Sequence, residues 1–190
     1  CEIIRVSVKD DADIESLNKL TKSVSIPLVA DIHFDYKLAL KAIAAGVNKL
    51  RINPGNITEQ WKVKEIVNAA KSNQIPIRIG VNLGSLEKSL LKKIDEKKMS
   101  VESAMVLSAL KEVEYLEKLN FTDIVISLKS SDVATTIKSY MLFSEKRDYP
   151  LHLSITETGT LRPGLVKSAI GLGQLLTQGI GDTIRVSLTA

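Results

Sequence analysis

A chain of 190 residues with 44% apolar and 25% charged residues can bury one sizeable core and has the composition of a globular protein. Lys and Arg exceed Asp and Glu by only 26 − 22 = 4 and aromatics make up 4%, which argues against the basic, aromatic-studded surface of a nucleic-acid binder. No run reaches the roughly 18 to 20 apolar residues of a membrane span, no basic-then-apolar leader opens the chain, and a single cysteine, Cys1, excludes a disulfide framework or a cysteine-built metal cage within these residues.

Alternating apolar runs mark strands, and periods near 3.6 mark helices. Ile3–Val8 is a strand, followed by a helix from about Ala12 to Val24 with Asp10 or Asp11 at its N-cap. Pro27 opens the strand Leu28–Ile32; Asp35 caps a Leu/Ala helix, Tyr36 to Ala45, that Gly46 ends. Lys49–Asn53 is the next strand, Pro54-Gly55 forces a turn, and Thr58 caps a helix to about Ser72. Ile75–Asn82 is a strand whose Gly84-Ser85 exit leads into a lysine-rich amphipathic helix to about Lys97, with its charged face in solvent, and a second helix from Val101 to Leu119. Asp123–Lys129 is a strand, and Ser131 or Asp132 caps a helix to about Lys146. Leu151–Thr156 is a strand, Thr158–Pro163 a loop, Gly164–Thr177 a helix ended by Gly179 and Gly181, and Thr183–Leu188 the last strand. Gly171 and Gly173 inside that helix each cost about 1 kcal/mol relative to Ala; close backbone packing is the expected reason, and simple tolerance the alternative.

Strict alternation of strands and helices predicts parallel strands joined by crossovers. Every strand ends in polar residues, which favours an α/β fold of the (β/α)8 TIM-barrel type over an open doubly wound sheet. The seven strands read here leave the barrel one βα unit short, most economically at the N-terminus, with two edges that favour association as a homodimer. The start without Met, directly before a strand, and the stop just after another predict a segment of a longer protein. A reducing, cytoplasmic setting is the default expectation, or a plastid-type organelle in a eukaryote.

Four strands share one pattern: Ile4-Arg5-Val6-Ser7, Leu50-Arg51-Ile52-Asn53, Ile77-Arg78-Ile79-Gly80-Val81-Asn82 and Ile184-Arg185-Val186-Ser187. Side chains alternate along a strand, so the apolar members face covering helices and the Arg, Asn and Ser members face the barrel lumen. Each arginine by itself could pair with an internal carboxylate. As a set, the four arginines and Lys129 meet only Asp31 and Glu157 among the strand-end acids, and burying unmatched charge is costly. An anion is therefore expected to complete the site. Guanidinium forks suit phosphate oxygens, the backbone amides of Asn82–Ser85 offer more donors, and a diphosphate fits this charge better than one carboxylate. Glu157 is the acid/base candidate, with a salt bridge to an arginine as its structural alternative. Asp31 and His33 lie on one face, as metal ligands, a polarised pair, or an ordinary hydrogen-bonded lumen pair. His152 lies early in its strand and takes no role; Trp61 and Tyr115 read as packing or surface residues.

Pro-Leu-Val-Ala-Asp-Ile-His-Phe-Asp-Tyr (27–36), Leu-Arg-Ile-Asn-Pro-Gly-Asn (50–56), Gly-Val-Asn-Leu-Gly-Ser-Leu (80–86) and Ser-Ile-Thr-Glu-Thr-Gly (154–159) together resemble the 4-hydroxy-3-methylbut-2-enyl diphosphate synthase family of the non-mevalonate isoprenoid pathway. The resemblance implies an oxidoreductase that opens 2-C-methyl-D-erythritol 2,4-cyclodiphosphate with two electrons passed through a [4Fe-4S] cluster, reduced by ferredoxin or flavodoxin. It implies that Arg5, Arg51, Arg78, Lys129, Arg185 and Ser187 grip the diphosphate and that Asn53 and Asn82 assist. It implies that Glu157 handles the proton leaving with the C3 oxygen as water. Asp31, His33 and Ser85 are expected to organise these groups from behind. In the family a separate C-terminal domain carries the cluster. No cysteine follows Cys1, so no cluster or metal is expected in this chain, and the isolated 190 residues are expected to be inactive. Whether the parent has two domains or three is left open. Two rivals remain: a pterin-diphosphate-binding barrel of the dihydropteroate synthase kind, and a non-catalytic phosphate-ligand module.

Overall fold

Alternating β-branched and aliphatic residues build four strands, Ile4–Val8 (β1), Leu28–Ile32 (β2), Lys49–Ile52 (β3) and Ile77–Asn82 (β4). The computed structural model describes residues 1–53, 56–57 and 59–188. These divide into two compact units, one of Cys1–Ile79 with Val113–Ile124 and one running from Gly80 to Glu112 and from Val125 onward.

In the first unit β1, β2, β3 and the opening residues of β4 lie side by side in chain order, all parallel. The register sets Ser7 beside Asp31, Asp31 beside Arg51, and Arg51 beside Arg78. Parallel neighbours need crossovers, and these are the helices Asp11–Ser23 (α1), Tyr36–Ala44 (α2) and Gln60–Ser72 (α3). Leu28, Ala30, Ile32, Leu50, Ile52, Ile77 and Ile79 are buried, as are Leu17, Ala39, Ile43, Ile66 and Val67 on the helices. Of the two cap candidates for α1, Asp10 serves, accepting from the Asp13 amide at 3.0 Å. Asp35 caps α2 through the Lys37 amide at 2.8 Å, and Gly46 follows that helix at φ 85°. The expected Pro54-Gly55 turn and Thr58 cap lie outside the described residues; α3 starts one residue beyond Glu59, which makes no side-chain cap bond.

The second unit carries the end of β4, a short 3-10 turn at Leu83–Ser85, and the helix Lys88–Asp95 (α4). It also carries the first part of Val101–Lys118 (α5), most of Ile124–Lys129 (β5), and Val133–Ser144 (α6). His152–Leu153 (β6), Leu161–Leu176 (α7) and Thr183–Ile184 (β7) complete it. Asp132, not Ser131, caps α6, accepting from the Thr135 amide at 2.6 Å. β6 and β7 are parallel, and Leu151 bridges to Ile126 of β5.

Three boundaries differ from expectation. α7 begins at Leu161 rather than Gly164, because Pro163 sits in the first turn, where no intrahelical donor is required. The last strand covers Thr183–Ile184 rather than Thr183–Leu188. Among the described residues of its unit it pairs with β6 alone, and Ile184, Val186 and Leu188 stay 55%, 42% and 43% exposed. The strand expected over Leu151–Thr156 reduces to His152–Leu153. Gly171 is closely packed, since a Cβ there would stand 2.6 Å from Ile155 Cδ1 and 3.3 Å from Val133 Cγ1. Gly173 has open space instead, so the tolerance alternative applies to it. No described helix is long and apolar enough to cross a membrane.

Candidate functional site

Because side chains alternate and paired residues share a face, the register places Arg5, Asp31, Lys49, Arg51 and Arg78 together on the face opposite the buried aliphatic one. Asp31, Arg51, Asn53 and Arg78 are buried there, at 6%, 3%, 4% and 5% exposure. One Asp31 oxygen accepts from Arg51 Nη1 at 2.9 Å and the other meets Arg5 Nη1 at 3.1 Å. A single carboxylate thus holds two guanidiniums. Lys49 was not singled out in the sequence, although it lies two residues before Arg51 and therefore on the same face. Burial, aided by the charge of Arg78, holds its ammonium below the usual lysine range.

Asp31 therefore anchors two arginines. His33 lies half-buried beyond the end of β2, its ring 6.2 Å from that of the exposed Phe34. Among the described residues no group of three or more His, Cys, Asp or Glu side chains is placed to hold a metal ion. Trp61 and Tyr115 behave as expected: Trp61 packs edge-on to Tyr36 at 5.1 Å with Lys62 above both rings, and the Tyr115 hydroxyl donates to the Gln60 carbonyl at 2.8 Å.

In the second unit one of the amides expected at Asn82–Ser85 is used within its own turn. The Asn82 amide donates to Ser85 Oγ at 3.1 Å and that hydroxyl donates back to the Asn82 carbonyl at 2.9 Å. Ser85 closes its own short turn, and the lysine-rich helix starts only at Lys88. Lys129 ends β5. The next residue, Ser130, accepts from the Thr156 amide at 3.1 Å, which ties Lys129 to the segment bearing Glu157. Glu157 is exposed and adopts φ 53°, a left-handed conformation that side-chain-bearing residues rarely take. Its carboxylate makes no ion pair among the described residues, so the salt-bridge alternative is not realised there. The Thr158 hydroxyl donates to the Ser187 carbonyl, and the Arg185 amide donates to the Leu153 carbonyl at 2.9 Å. Lys129, Glu157, Arg185 and Ser187 thus sit on three chain segments bound through the main chain. Arg185 is exposed and Ser187 half-buried.

The sequence matches the GcpE TIM-barrel domain family over residues 1–190. The chain belongs to that family. Proteins named 4-hydroxy-3-methylbut-2-en-1-yl diphosphate synthase (flavodoxin) are similar to it along its whole length. Those of Caldanaerobacter subterraneus subsp. tengcongensis, Thermodesulfovibrio yellowstonii and Geobacter sulfurreducens are 59%, 57% and 55% identical over 189 residues. The chain spans 52–53% of the length of these three relatives. Among solved structures, the YdjI aldolase from Escherichia coli K12 matches with a TM-score of 0.52 at 12% identity, over 99% of this chain and 65% of that one. That likeness concerns the fold, and with the family it bears out the TIM-barrel class expected from the strand–helix alternation.

Proposed function

We propose that this domain binds the substrate of an enzyme that reductively opens 2-C-methyl-D-erythritol 2,4-cyclodiphosphate to 4-hydroxy-3-methylbut-2-enyl diphosphate. The observation that carries the reading is the strand face that Arg5, Lys49, Arg51 and Arg78 share with Asp31, whose carboxylate holds Arg5 and Arg51. A face so cationic suits a multiply charged anion, and the diphosphate in the relatives' name supplies one.

In this reading Arg5, Arg51, Arg78, Lys129 and Arg185 bind phosphoryl oxygens, the Ser187 hydroxyl donates to one, and Asn53 and Asn82 orient the ligand. Asp31 pre-sets Arg5 and Arg51, so that little ordering remains when substrate arrives. His33 and Ser85 shape the loops behind them. Glu157 is the acid/base group, holding the proton that departs with the C3 oxygen as water.

The [4Fe-4S] cluster of the resemblance does not fit the residues present. Cluster iron is held by cysteine thiolates. The single cysteine, Cys1, is exposed and its thiol donates to the Ile3 carbonyl at 3.1 Å. The two electrons come from outside these residues, with flavodoxin as the proposed donor in line with the relatives' name. A homodimer in the cytoplasm belongs to the same reading.

The test uses the full-length protein with its cluster in place and reduced flavodoxin. Turnover of the cyclic diphosphate is expected, with none from the 190-residue chain alone; turnover by the isolated chain would overturn this division of labour. A rise in melting temperature with the cyclic diphosphate, and none with a pterin diphosphate, separates this reading from a dihydropteroate synthase-like site.

A further inference from the structure

The main-chain ladder between β5 and β6 has a hydroxyl inserted into it. Ile126 pairs with Leu151, and the Ile126 amide donates to the Pro150 carbonyl at 2.9 Å. Two residues on, a regular parallel ladder would join the Leu128 amide to the His152 carbonyl. Instead the Leu128 amide donates to the Tyr140 hydroxyl at 3.0 Å, and that hydroxyl donates to the His152 carbonyl at 2.6 Å. Two residues further the ladder closes again in the same register, with the Thr156 amide on the Ser130 carbonyl at 3.1 Å. Tyr140 comes from α6 and is 0% exposed. Its hydroxyl places two hydrogen bonds in series where a sheet normally has one of about 2.9 Å, so β5 and β6 splay here and the regular strand stops at Leu153.

We propose that Tyr140 is a positioning residue whose hydroxyl sets the separation of the two strand ends that carry Lys129 and Glu157. Lys129 directly follows Leu128, and Glu157 directly follows Thr156 across the re-formed bond. The far side of His152 is fixed. Its strand pairs with β7, and its Nδ1 lies 2.8 Å from Thr183 Oγ1, so β6 cannot adjust without taking β7 along. On the α6 side, the Asp132 cap starts the helix just after Lys129, which makes helix and strand end one rigid lever. Removing the hydroxyl leaves a buried amide and a partly buried carbonyl to close on each other or stay unsatisfied. Either outcome moves Glu157 relative to a substrate held by Lys129. The inference rests on the roles given above to Lys129 and Glu157.

The test is Tyr140→Phe in the full-length, cluster-loaded protein, beside Glu157→Gln in the same assay. For Tyr140→Phe, kcat is expected to fall by about ten- to a hundredfold, the scale of a small misplacement at a reacting centre, with KM for the cyclic diphosphate within about twofold. Amide exchange at Leu128 is expected to quicken while the far ends of α6 and α7 keep their protection. Replacing Tyr140 by 4-aminophenylalanine, which keeps a polar hydrogen at the same point of the ring, is expected to restore most of kcat. Wild-type kcat in Tyr140→Phe overturns the proposal, as does a loss that 4-aminophenylalanine fails to restore. Failure of the functional reading shows separately, as undiminished turnover in Glu157→Gln.

Discussion

The Asp31 carboxylate stands opposite Arg51 in the β2–β3 ladder and accepts its Nη1 at 2.9 Å, while the second oxygen takes Arg5 at 3.1 Å. Arg51 and Asp31 are both buried, whereas the Arg5 side chain keeps 26% of its exposure. The two contacts therefore differ in weight. Asp31→Asn removes a buried counter-charge of Arg51, a loss on the order of 3 kcal/mol, while Arg5→Gln removes a water-screened partner worth under about 1 kcal/mol. Urea unfolding of the two variants measures the difference, and equal losses would show that Arg51 finds another counter-charge. The Asn variant should also weaken cyclic-diphosphate binding, because Arg51 loses the group that aims it.

Stability should fall as pH rises through the range governed by Glu112. Burial, reinforced by the Glu87 carboxylate and opposed by Lys111, pushes this half-buried side chain up to about 7 from 4.5. Lys111 is committed to Glu87, at 3.0 and 2.9 Å, and its hydrogen bond holds Glu87 below the usual carboxylate range. Between pH 4.5 and about 7 the folded state binds the Glu112 proton more tightly than the unfolded chain does. Its neutral form is therefore an advantage at low pH that is lost on deprotonation. Glu112→Gln should flatten that part of the pH–stability curve and raise stability above pH 7 by up to about 3 kcal/mol. A variant with an unchanged slope would assign the dependence to other groups.

The period-two alternation of Ile4-Arg5-Val6-Ser7 and Leu50-Arg51-Ile52-Asn53 made the cationic face legible from sequence, because in a parallel register one alternation fixes the face for every strand at once. The caps Asp10, Asp35 and Asp132 were legible for a similarly local reason. The sharing of Asp31 by two arginines was not, since it depends on registry between segments far apart in the chain. Nor was Tyr140, which in sequence is one more aromatic on a helix and becomes distinct only where its hydroxyl enters a ladder. The length of β6 was misjudged because a hydroxyl interrupts its ladder with β5, and that of β7 because a strand extends only as far as its partner does.

Gly171 and Gly173 look alike in sequence and should respond with opposite sign to the same substitution. In α7 an Ala methyl at 171 would meet Ile155, which is fully buried, and Val133, so Gly171→Ala should cost about 1–2 kcal/mol. At 173 nothing lies within 4 Å, and Gly173→Ala should gain up to about 1 kcal/mol in helix propensity. Thermal denaturation of the two variants reads the contrast directly; a stabilised Gly171→Ala would mean that Ile155 yields more easily than its burial implies.

Glu157 combines a conformation that glycine would hold more easily with a side chain that glycine lacks, so two substitutions separate its backbone from its chemistry. At φ 53° a side-chain-bearing residue carries strain of about 1–2 kcal/mol, part of which Glu157→Gly would return to the higher backbone entropy of the unfolded chain. Glu157→Gly should therefore raise the melting temperature slightly, by a net gain of about 1 kcal/mol or less, while abolishing turnover. Glu157→Gln keeps the strain and the shape and should leave the melting temperature where it is, yet lower kcat by about 10²- to 10⁴-fold if the carboxylate moves the proton. Turnover and calorimetry on the same two preparations check both halves. Normal kcat in the Gln variant would remove the acid/base role, and a lower melting temperature in the Gly variant would show that the left-handed turn is held by the side chain rather than endured for it.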